Sequence, residues 1–260
     1  MKEVNILIDG KQFIAYEGET LLDVARRNNI NIPALCYDPS LKPYGACRLC
    51  IVEVIDGAKK GITTSCTLSC VDGLSVRTDT EEIKQHRKIL FELYLSQAPA
   101  SKKLKKLAAR YGVFSTRFKE KFIENDPLDN SCVMCGLCVR VCNDVMGAGV
   151  INFIGRGHKS KVNTPYLEAS QICLGCQACV EVCPTGAIKA FDEENVRYMA
   201  SWSQTTVKLK KCAECGRYFA PEPLTRKTES AYFYADKDEV LKDLCPDCRR
   251  KYITKKVTQF

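Results

Sequence analysis

The chain has 260 residues, 45% of them hydrophobic, a formal net charge of +8 and 17 cysteines. That length allows one to three domains, and the ordinary apolar content argues against a disordered chain. No stretch approaches the roughly 18 apolar residues of a membrane span, and the segment after Met1 is charged and strand-like rather than an apolar leader, so a reducing, cytoplasmic location without a membrane span is expected.

Sixteen of the cysteines fall into four sets of four. Cys-x-x-Cys spacings in a chain without a leader favour metal binding over disulfides. Each filled site joins a core of about +2 to four thiolates and so adds about −2. Four such sites would cancel the basic excess, which makes the charge a weak reason to invoke nucleic acid. The expected class is α+β, with four segments spanning residues 1–80, 81–131, 132–204 and 205–260.

In residues 1–80, Val4–Ile8 alternates as a strand, Asp9-Gly10 turns, and Gln12–Tyr16 returns. Thr20 caps a short helix with an apolar face of Leu21, Leu22, Val24 and Ala25. Two strands, a helix and a cysteine loop suggest a β-grasp ferredoxin domain. In that loop ten residues separate Cys36 from Cys47 and two separate Cys47 from Cys50. Gly45 and Ala46 are small enough for backbone N–H groups to approach the sulfurs and tune a cluster. Cys66 and Cys70 compete for the fourth ligand position.

The Gly45-Ala46-Cys47-Arg48-Leu49-Cys50 segment and its spacing resemble the [2Fe–2S] domain that opens the large peripheral-arm subunit of respiratory NADH dehydrogenase. They are equally similar to the starts of iron-only hydrogenases and of the small diaphorase subunit of NAD-reducing hydrogenases. The resemblance implies a [2Fe–2S] cluster on Cys36, Cys47, Cys50 and Cys66, because Thr64-Ser65-Cys66-Thr67, with Gly73 and Val76-Arg77-Thr78 after it, lines up with the family's fourth-ligand segment. Cys70 is then a small buried residue.

Residues 81–131 read as a basic helical linker. A helix is expected over 81–95, with Ile83, Leu90 and Tyr94 among its apolar positions. In the families named above this helix leads into a cluster held by one His and three Cys. Here Ser96-Gln97-Ala98-Pro99-Ala100-Ser101 follows, with no cysteine between Cys70 and Cys132, so that cluster is expected to be missing. His86 falls too early for the role, and His86 and His158 are expected to be surface residues. Leu104, Leu107, Ala108 and Tyr111-Gly112-Val113 indicate a second helix and an irregular connection. Lys102, Lys103, Lys105, Lys106, Arg110, Arg117, Lys119 and Lys121 form either a solvated face or a dock for an acidic partner subunit.

Residues 132–204 contain Cys132, Cys135, Cys138 and Cys142, repeated as Cys173, Cys176, Cys179 and Cys183 before Pro184. Both runs are C-x2-C-x2-C-x3-C. The first three cysteines of each wrap one cube, and the fourth starts a helix that points away and ligates the other cube. The expected [4Fe–4S] ligand sets are therefore Cys132, Cys135, Cys138 with Cys183, and Cys173, Cys176, Cys179 with Cys142. Gly147-Ala148-Gly149 lacks the third glycine of a dinucleotide fingerprint and is read as a tight turn. Ile151–Ile154 and the segment to Tyr166 suggest a hairpin insertion.

In residues 205–260, Cys212 and Cys215 form one C-x-x-C pair and Cys245 and Cys248 another, 29 residues apart. Four thiolates in tetrahedral geometry fit zinc in a zinc-ribbon-like module, with a further iron–sulfur cluster as the alternative. Phe219, Tyr232, Phe233 and Tyr234 are expected to fill its core. Arg249, Arg250 and Lys251 would suit a nucleic-acid ribbon, which three redox clusters upstream make a poor fit.

No phosphate-binding glycine loop and no Ser/His/Asp or Cys/His set is present, so no active site of its own is expected. The resemblance implies an electron-relay subunit between a flavin subunit that handles NAD(P)H and a second catalytic subunit, foremost a [NiFe] hydrogenase, with a formate dehydrogenase as the alternative. A thioredoxin-like [2Fe–2S] subunit and soluble ferredoxin are further implied partners. Motifs of an iron-only hydrogenase active site do not follow Cys183, so the chain looks like a truncated relative. A free-standing polyferredoxin is the competing reading.

Overall fold

In the computed structural model, which describes residues 2–231 and 239–258, the chain forms two compact units of mixed α and β structure. One unit comprises Met1–Arg140 with Val182–Ala187, and the other Val141–Glu181 with Ile188–Phe260.

The first unit is built on a five-stranded sheet of β1 (Glu3–Ile8), β2 (Lys11–Tyr16), β3 (Ile51–Asp56), β4 (Gly61–Thr64) and β5 (Ser75–Arg77), in the order β2-β1-β5-β3-β4. Asp9 and Gly10 both have positive φ, as a two-residue turn between twisted strands demands. β1 alternates, so Val4, Ile6 and Ile8 are buried. β1 and β5 are parallel, pairing Leu7 with Ser75 and Ile8 with Val76. A parallel pair needs a long crossover. Here the crossover carries helix α1 (Leu21–Arg27), the cysteine loop and the β3–β4 hairpin, the arrangement expected of a β-grasp. Thr20 caps α1, its hydroxyl accepting from the Asp23 N–H at 3.2 Å. Leu21, Leu22, Val24 and Ala25 close the core over the sheet. Truncating Leu21 or Leu22 to Ala would cost about 2–5 kcal/mol.

Helix α2 (Glu81–Gln97) runs two residues beyond the expected end, because Ala98 closes its last turn onto Tyr94 O. Helix α3 (Lys102–Ala109) starts at Ser101, whose hydroxyl accepts from Leu104 N at 3.2 Å and donates to Thr185 O at 2.9 Å. That second bond ties the 182–187 segment into the first unit. Leu104 and Ala108 are buried, while Lys102, Lys103, Lys105 and Lys106 are exposed, so α3 presents a solvated basic face. A second core gathers Phe91 and Leu95 of α2 with its cap Ala98, Leu104 and Ala108 of α3, and Leu35, Cys36, Cys47 and Leu49 of the cysteine loop. The four-residue helix α4 (Leu137–Arg140) ends the main segment of this unit.

The second unit opens with a π-helical turn at Val141–Val145 and the β6 (Asn152–Ile154)–β7 (Lys161–Asn163) hairpin, where an insertion was expected. After the short helix α5 (Ala178–Glu181) come β8 (Phe191–Glu193), β9 (Val196–Met199), β10 (Thr205–Lys211) and β11 (Tyr218–Pro221). These make one antiparallel sheet in the order β11-β10-β9-β8. β9 pairs with β10 from Thr205↔Met199 to Lys208↔Val196, so a single sheet runs through residue 204. Helices α6 (Glu222–Ala231) and α7 (Pro246–Val257) complete the unit. Tyr232, Phe233 and Tyr234 lie outside the described residues, as does the His158 side chain; His86 is exposed on α2.

Candidate iron–sulfur and metal centres

Cys36, Cys47, Cys50 and Cys66 converge from the cysteine loop and the end of β4, and none is more than 2% exposed. Cys47 N donates to Cys36 Sγ and Leu35 N to Cys47 Sγ, each at 3.3 Å. Gly45 and Arg48 hold positive φ and turn the loop inward; a Cβ at Gly45 would stand 3.2 Å from the Thr67 methyl. The bond from the Cys36 thiol, with backbone N–H groups of Leu35, Leu49 and Cys36, draws Cys47 down to about 6. The Cys66 thiol does the same for Cys50, to about 7. Cys36 and Cys66 are pushed up, first by those same bonds and then by burial. The fully buried Ser65 hydroxyl lies beside the Cys50 sulfur and helps to draw that thiol down. Four buried thiols, N–H donors aimed at sulfur and a buried hydroxyl beside Cys50 fit an anionic iron–sulfur core, whose sulfurs would accept those donors.

Cys66 and Cys70 differ in their surroundings. Cys66 is acted on by Cys50, Cys36 and Cys47. Cys70 shares the β-grasp core with Cys66 but is raised to about 11 by burial, and the charges that act on it are those of Glu19, Arg27 and Asp23.

The two cysteine runs repeat in backbone conformation as well as in sequence. Met134 and Gly136 have positive φ, and so do Gly175 and Gln177 at the same places in the second run. Left-handed Met and Gln are unusual and strained, and such strain marks functional loops. Here it turns N–H groups onto sulfur: Met134 N donates to Cys132 Sγ at 3.4 Å, and backbone N–H groups of Leu137 and Gly175 serve Cys135 and Cys173. A Cβ at Gly175 would meet Pro221 at 3.1 Å and Val207 at 3.2 Å, so the loop also needs glycine to pass beneath the sheet.

The compact units regroup the fourth cysteines. Cys183 falls in the first unit with Cys132, Cys135 and Cys138, and its charge acts on Cys132 and Cys135. Burial pushes those two up to about 11 and about 12. Cys142 falls in the second unit, lining one apolar cavity with Cys173, Cys176 and Cys179. Trp202, 1% exposed, lines that cavity and donates from Nε1 to Cys179 Sγ at 3.5 Å. Burial pushes Cys179 up to about 12, and the indole bond opposes this. An N–H donor and an apolar wall suit a cluster.

Tyr94 joins the two cysteine sets of the first unit. Its hydroxyl donates to Cys47 O at 3.0 Å. Burial pushes its pKa up, and so do the charges of Cys47, Cys36 and Cys135. Cys135 itself packs against the core that holds Cys36 and Cys47.

The sulfurs of Cys212, Cys215, Cys245 and Cys248 all lie within 4.8 Å of one another. Cys212 and Cys215 come from the turn between β10 and β11, where Gly216 takes positive φ and its N–H closes onto Cys212 O at 3.0 Å. Cys245 and Cys248 differ from the second ribbon knuckle that the spacing suggested. They lie on the first turn of α7, which Pro246 at its first position and Asp247 start as a helix. Cys245 N donates to Cys212 Sγ at 3.3 Å. Backbone N–H groups of Cys215 and Cys245 draw Cys212 down to about 6. Arg217 bridges Cys245 Sγ at 3.4 Å and Asp247 at 2.6 Å. Leu241 and Leu244 form the small core here, with half-buried Phe219 and Tyr252 against it. This set fits a metal ion.

Sequence reasoning missed Trp202, Arg217 and the bond from Tyr94 to the cysteine loop. The lone tryptophan just before β10 was the available signal for the first; nothing local marked the others.

Comparison with known proteins agrees with this geometry. A 2Fe-2S iron-sulfur cluster binding domain matches residues 1–81, and a 4Fe-4S dicluster domain matches residues 131–187. The chain carries both iron–sulfur domains. Among its relatives is a subunit of the NADH-quinone oxidoreductase of Rhizobium meliloti (strain 1021), 30% identical over 82% of this chain and 27% of that protein. Another is NADP-reducing hydrogenase subunit HndD of Solidesulfovibrio fructosivorans, 32% identical over 72% of this chain and 36% of that protein. The chain thus spans about a third or less of these relatives. A crystal structure of an NAD+-reducing [NiFe]-hydrogenase in the H2-reduced state contains a chain that superposes with a TM-score of 0.55, at 27% identity, over 62% of this chain and 75% of that one. No helix among the described residues is long and apolar enough to cross a membrane.

Proposed function

We propose that this chain is an electron-relay subunit, without an active site of its own, that links a flavin subunit handling NAD(P)H to a second catalytic subunit in the cytoplasm. The observation that carries the reading is the gathering of Cys36, Cys47 and Cys135 around one core, with Tyr94 against all three. That core is where a [2Fe–2S] centre and a [4Fe–4S] centre would exchange single electrons, which is the chemistry the clusters supply when bound. The protein's own contribution is to bury the sulfurs, aim N–H donors at them and exclude water. The ligand sets follow: Cys36, Cys47, Cys50 and Cys66 for the [2Fe–2S] cluster; Cys132, Cys135, Cys138 and Cys183 for the first [4Fe–4S] cluster; Cys142, Cys173, Cys176 and Cys179 for the second. The grouping of Cys183 and Cys142 by compact unit supports the crossing.

A [NiFe] hydrogenase is the favoured terminal partner, supported by the superposed chain from such an enzyme. Zinc is the favoured ion at the C-terminal set. Zn–S bonds of about 2.3 Å in a tetrahedron place sulfurs about 3.8 Å apart, and Cys215 Sγ and Cys245 Sγ stand 3.8 Å apart. Thiolates on the separate irons of a cube stand wider, so the tail is a docking module rather than a redox stop.

Metal analysis, EPR and reduction assays on the reconstituted chain test the proposal together. About ten irons and one zinc per chain are expected, with NAD(P)H reducing the clusters only when a flavin subunit is added. Direct reduction by NAD(P)H, or extra iron in place of zinc, would contradict it. Cys183→Ser should damage the cluster of Cys132, Cys135 and Cys138; loss confined to the other [4Fe–4S] signal would refute the crossing.

A further inference from the structure

Arg87 is a buried cation with no obvious reason to be charged. It stands in the middle of α2, 4% exposed, and no carboxylate among the described residues forms an ion pair with it. Its Nε donates to Leu49 O at 3.2 Å and its Nη2 to Ile51 O at 2.7 Å. Those two carbonyls flank Cys50. Seven residues further along the same helix face, Tyr94 donates to Cys47 O at 3.0 Å. Three carbonyls of the stretch Cys47–Ile51 therefore accept from one side of α2, which clamps the C-x-x-C segment from outside the β-grasp sheet.

The clamp alone does not call for a charge, since neutral donors can bond carbonyls. An unpaired buried guanidinium is costly, because it loses its hydration without a counter-ion. Burial pulls its pKa down, while Tyr111, Asp79, Cys50 and Asp9 act the other way. The negative charge it lacks would come from the cluster. A [2Fe–2S] core on four thiolates carries about −2 when oxidised and about −3 after one electron is added. A fixed cation in a low-dielectric surrounding favours the more negative state, and no proton need move.

Resting on the proposed [2Fe–2S] ligand set, we infer that Arg87 sets the reduction potential of that cluster, raising it by holding an unpaired positive charge behind Cys50 while its planar fork fixes the ligand loop. Arg87 is a positioning residue that acts through the loop and through its field. The relay gains an acceptor that takes an electron more readily than the same sulfurs would without it. Lys84, one turn earlier on α2, is the natural contrast: it is exposed and pairs with Asp79 at 3.3 Å, so solvent screens it.

The experiment is a redox titration of the full chain followed by EPR, with iron content measured for each variant. Arg87→Gln removes the charge and keeps a donor. Its one-electron reduction constant should fall by about tenfold or more, a midpoint lower by about 59 mV. Arg87→Lys keeps the charge and should stay well within that interval, and Lys84→Gln should not move. A cluster-loaded Arg87→Gln at the wild-type midpoint overturns the inference. Should Arg87→Gln fail to load iron, Arg87→Lys decides alone: a midpoint held near wild type supports the charge, and a tenfold fall in its reduction constant overturns it. A wild-type chain with no [2Fe–2S] signal after reconstitution overturns the ligand assignment instead, which separates the two failures.

Discussion

The N-terminal and C-terminal cysteine sets each offer four thiols, in opposite settings. Cys36, Cys47, Cys50 and Cys66 are sealed under a five-stranded sheet, α1 and a helix-lined second core. Cys212, Cys215, Cys245 and Cys248 hang on a hairpin turn and a helix start, over a core of two leucines, and Cys215 is exposed. The first setting excludes water and leaves a buried cation beside the loop. The second surrounds its sulfurs with Arg217 and the solvent-facing Asp247. A deep, dry and asymmetric pocket suits a charge that changes, because each nearby dipole then weighs heavily. A shallow site with tightly drawn sulfurs suits a charge that stays constant, where the ion itself supplies most of the local stability.

The largest test of that contrast removes one ligand from each. Cys50→Ser should abolish the [2Fe–2S] EPR signal and leave an unfilled buried pocket, so the first unit should melt well below wild type. Cys245→Ser should release the C-terminal metal and the first turn of α7 while all three iron–sulfur signals persist. Loss of the [2Fe–2S] signal in Cys245→Ser would end the claim that the sites are independent. Next in size, Cys66→Ser should remove the [2Fe–2S] spectrum, and Cys70→Ser, in the β-grasp core, should cost only packing energy. The reverse pattern would exchange the two roles. Trp202→Phe should lower the midpoint of the second [4Fe–4S] cluster by less than Arg87→Gln lowers that of the [2Fe–2S], because a single neutral N–H donor is lost. The other two midpoints should not move.

The smallest effect belongs to the surface of the second unit. Arg197 hydrogen-bonds Asp192 at 2.6 and 2.7 Å and holds its carboxyl below the usual aspartate range. The folded pKa is depressed, so any stabilisation is present above the unfolded value of about 3.9 and is lost as pH falls through the folded one. The side chain of Asp192 is 42% exposed, so solvent screening limits Asp192→Asn to at most about 1 kcal/mol by thermal melting at neutral pH, vanishing in acid.

How much of this was legible along the chain depended on the range of the interactions. The β1–β2 hairpin, the Thr20 cap and the β6–β7 insertion come from neighbours in sequence, and they appear where alternation, Asp9-Gly10 and the helix signals placed them. The β8–β11 sheet was not foreseen: β10 alternates, with Thr205, Val207 and Leu209 buried, but its partners β8 and β9 are short, β8 is wholly exposed, and neither shows an apolar alternation of its own. The start of α7 at Cys245 was hidden by the C-x-x-C spacing, which fits a hairpin knuckle and a helix start equally well.

Cysteine spacing by itself laid out four groups of cysteines, their order along the chain and the repeat of the middle two, because thiolate ligands must sit at short, regular intervals to reach one core. Tertiary structure decided what surrounds them. The action of Cys36 and Cys47 on Cys66, the indole bond to Cys179 and the three carbonyls held by α2 join residues far apart in the chain. Hydrogen bonds and fields act through space, and no local pattern encodes which distant side chain will face a sulfur.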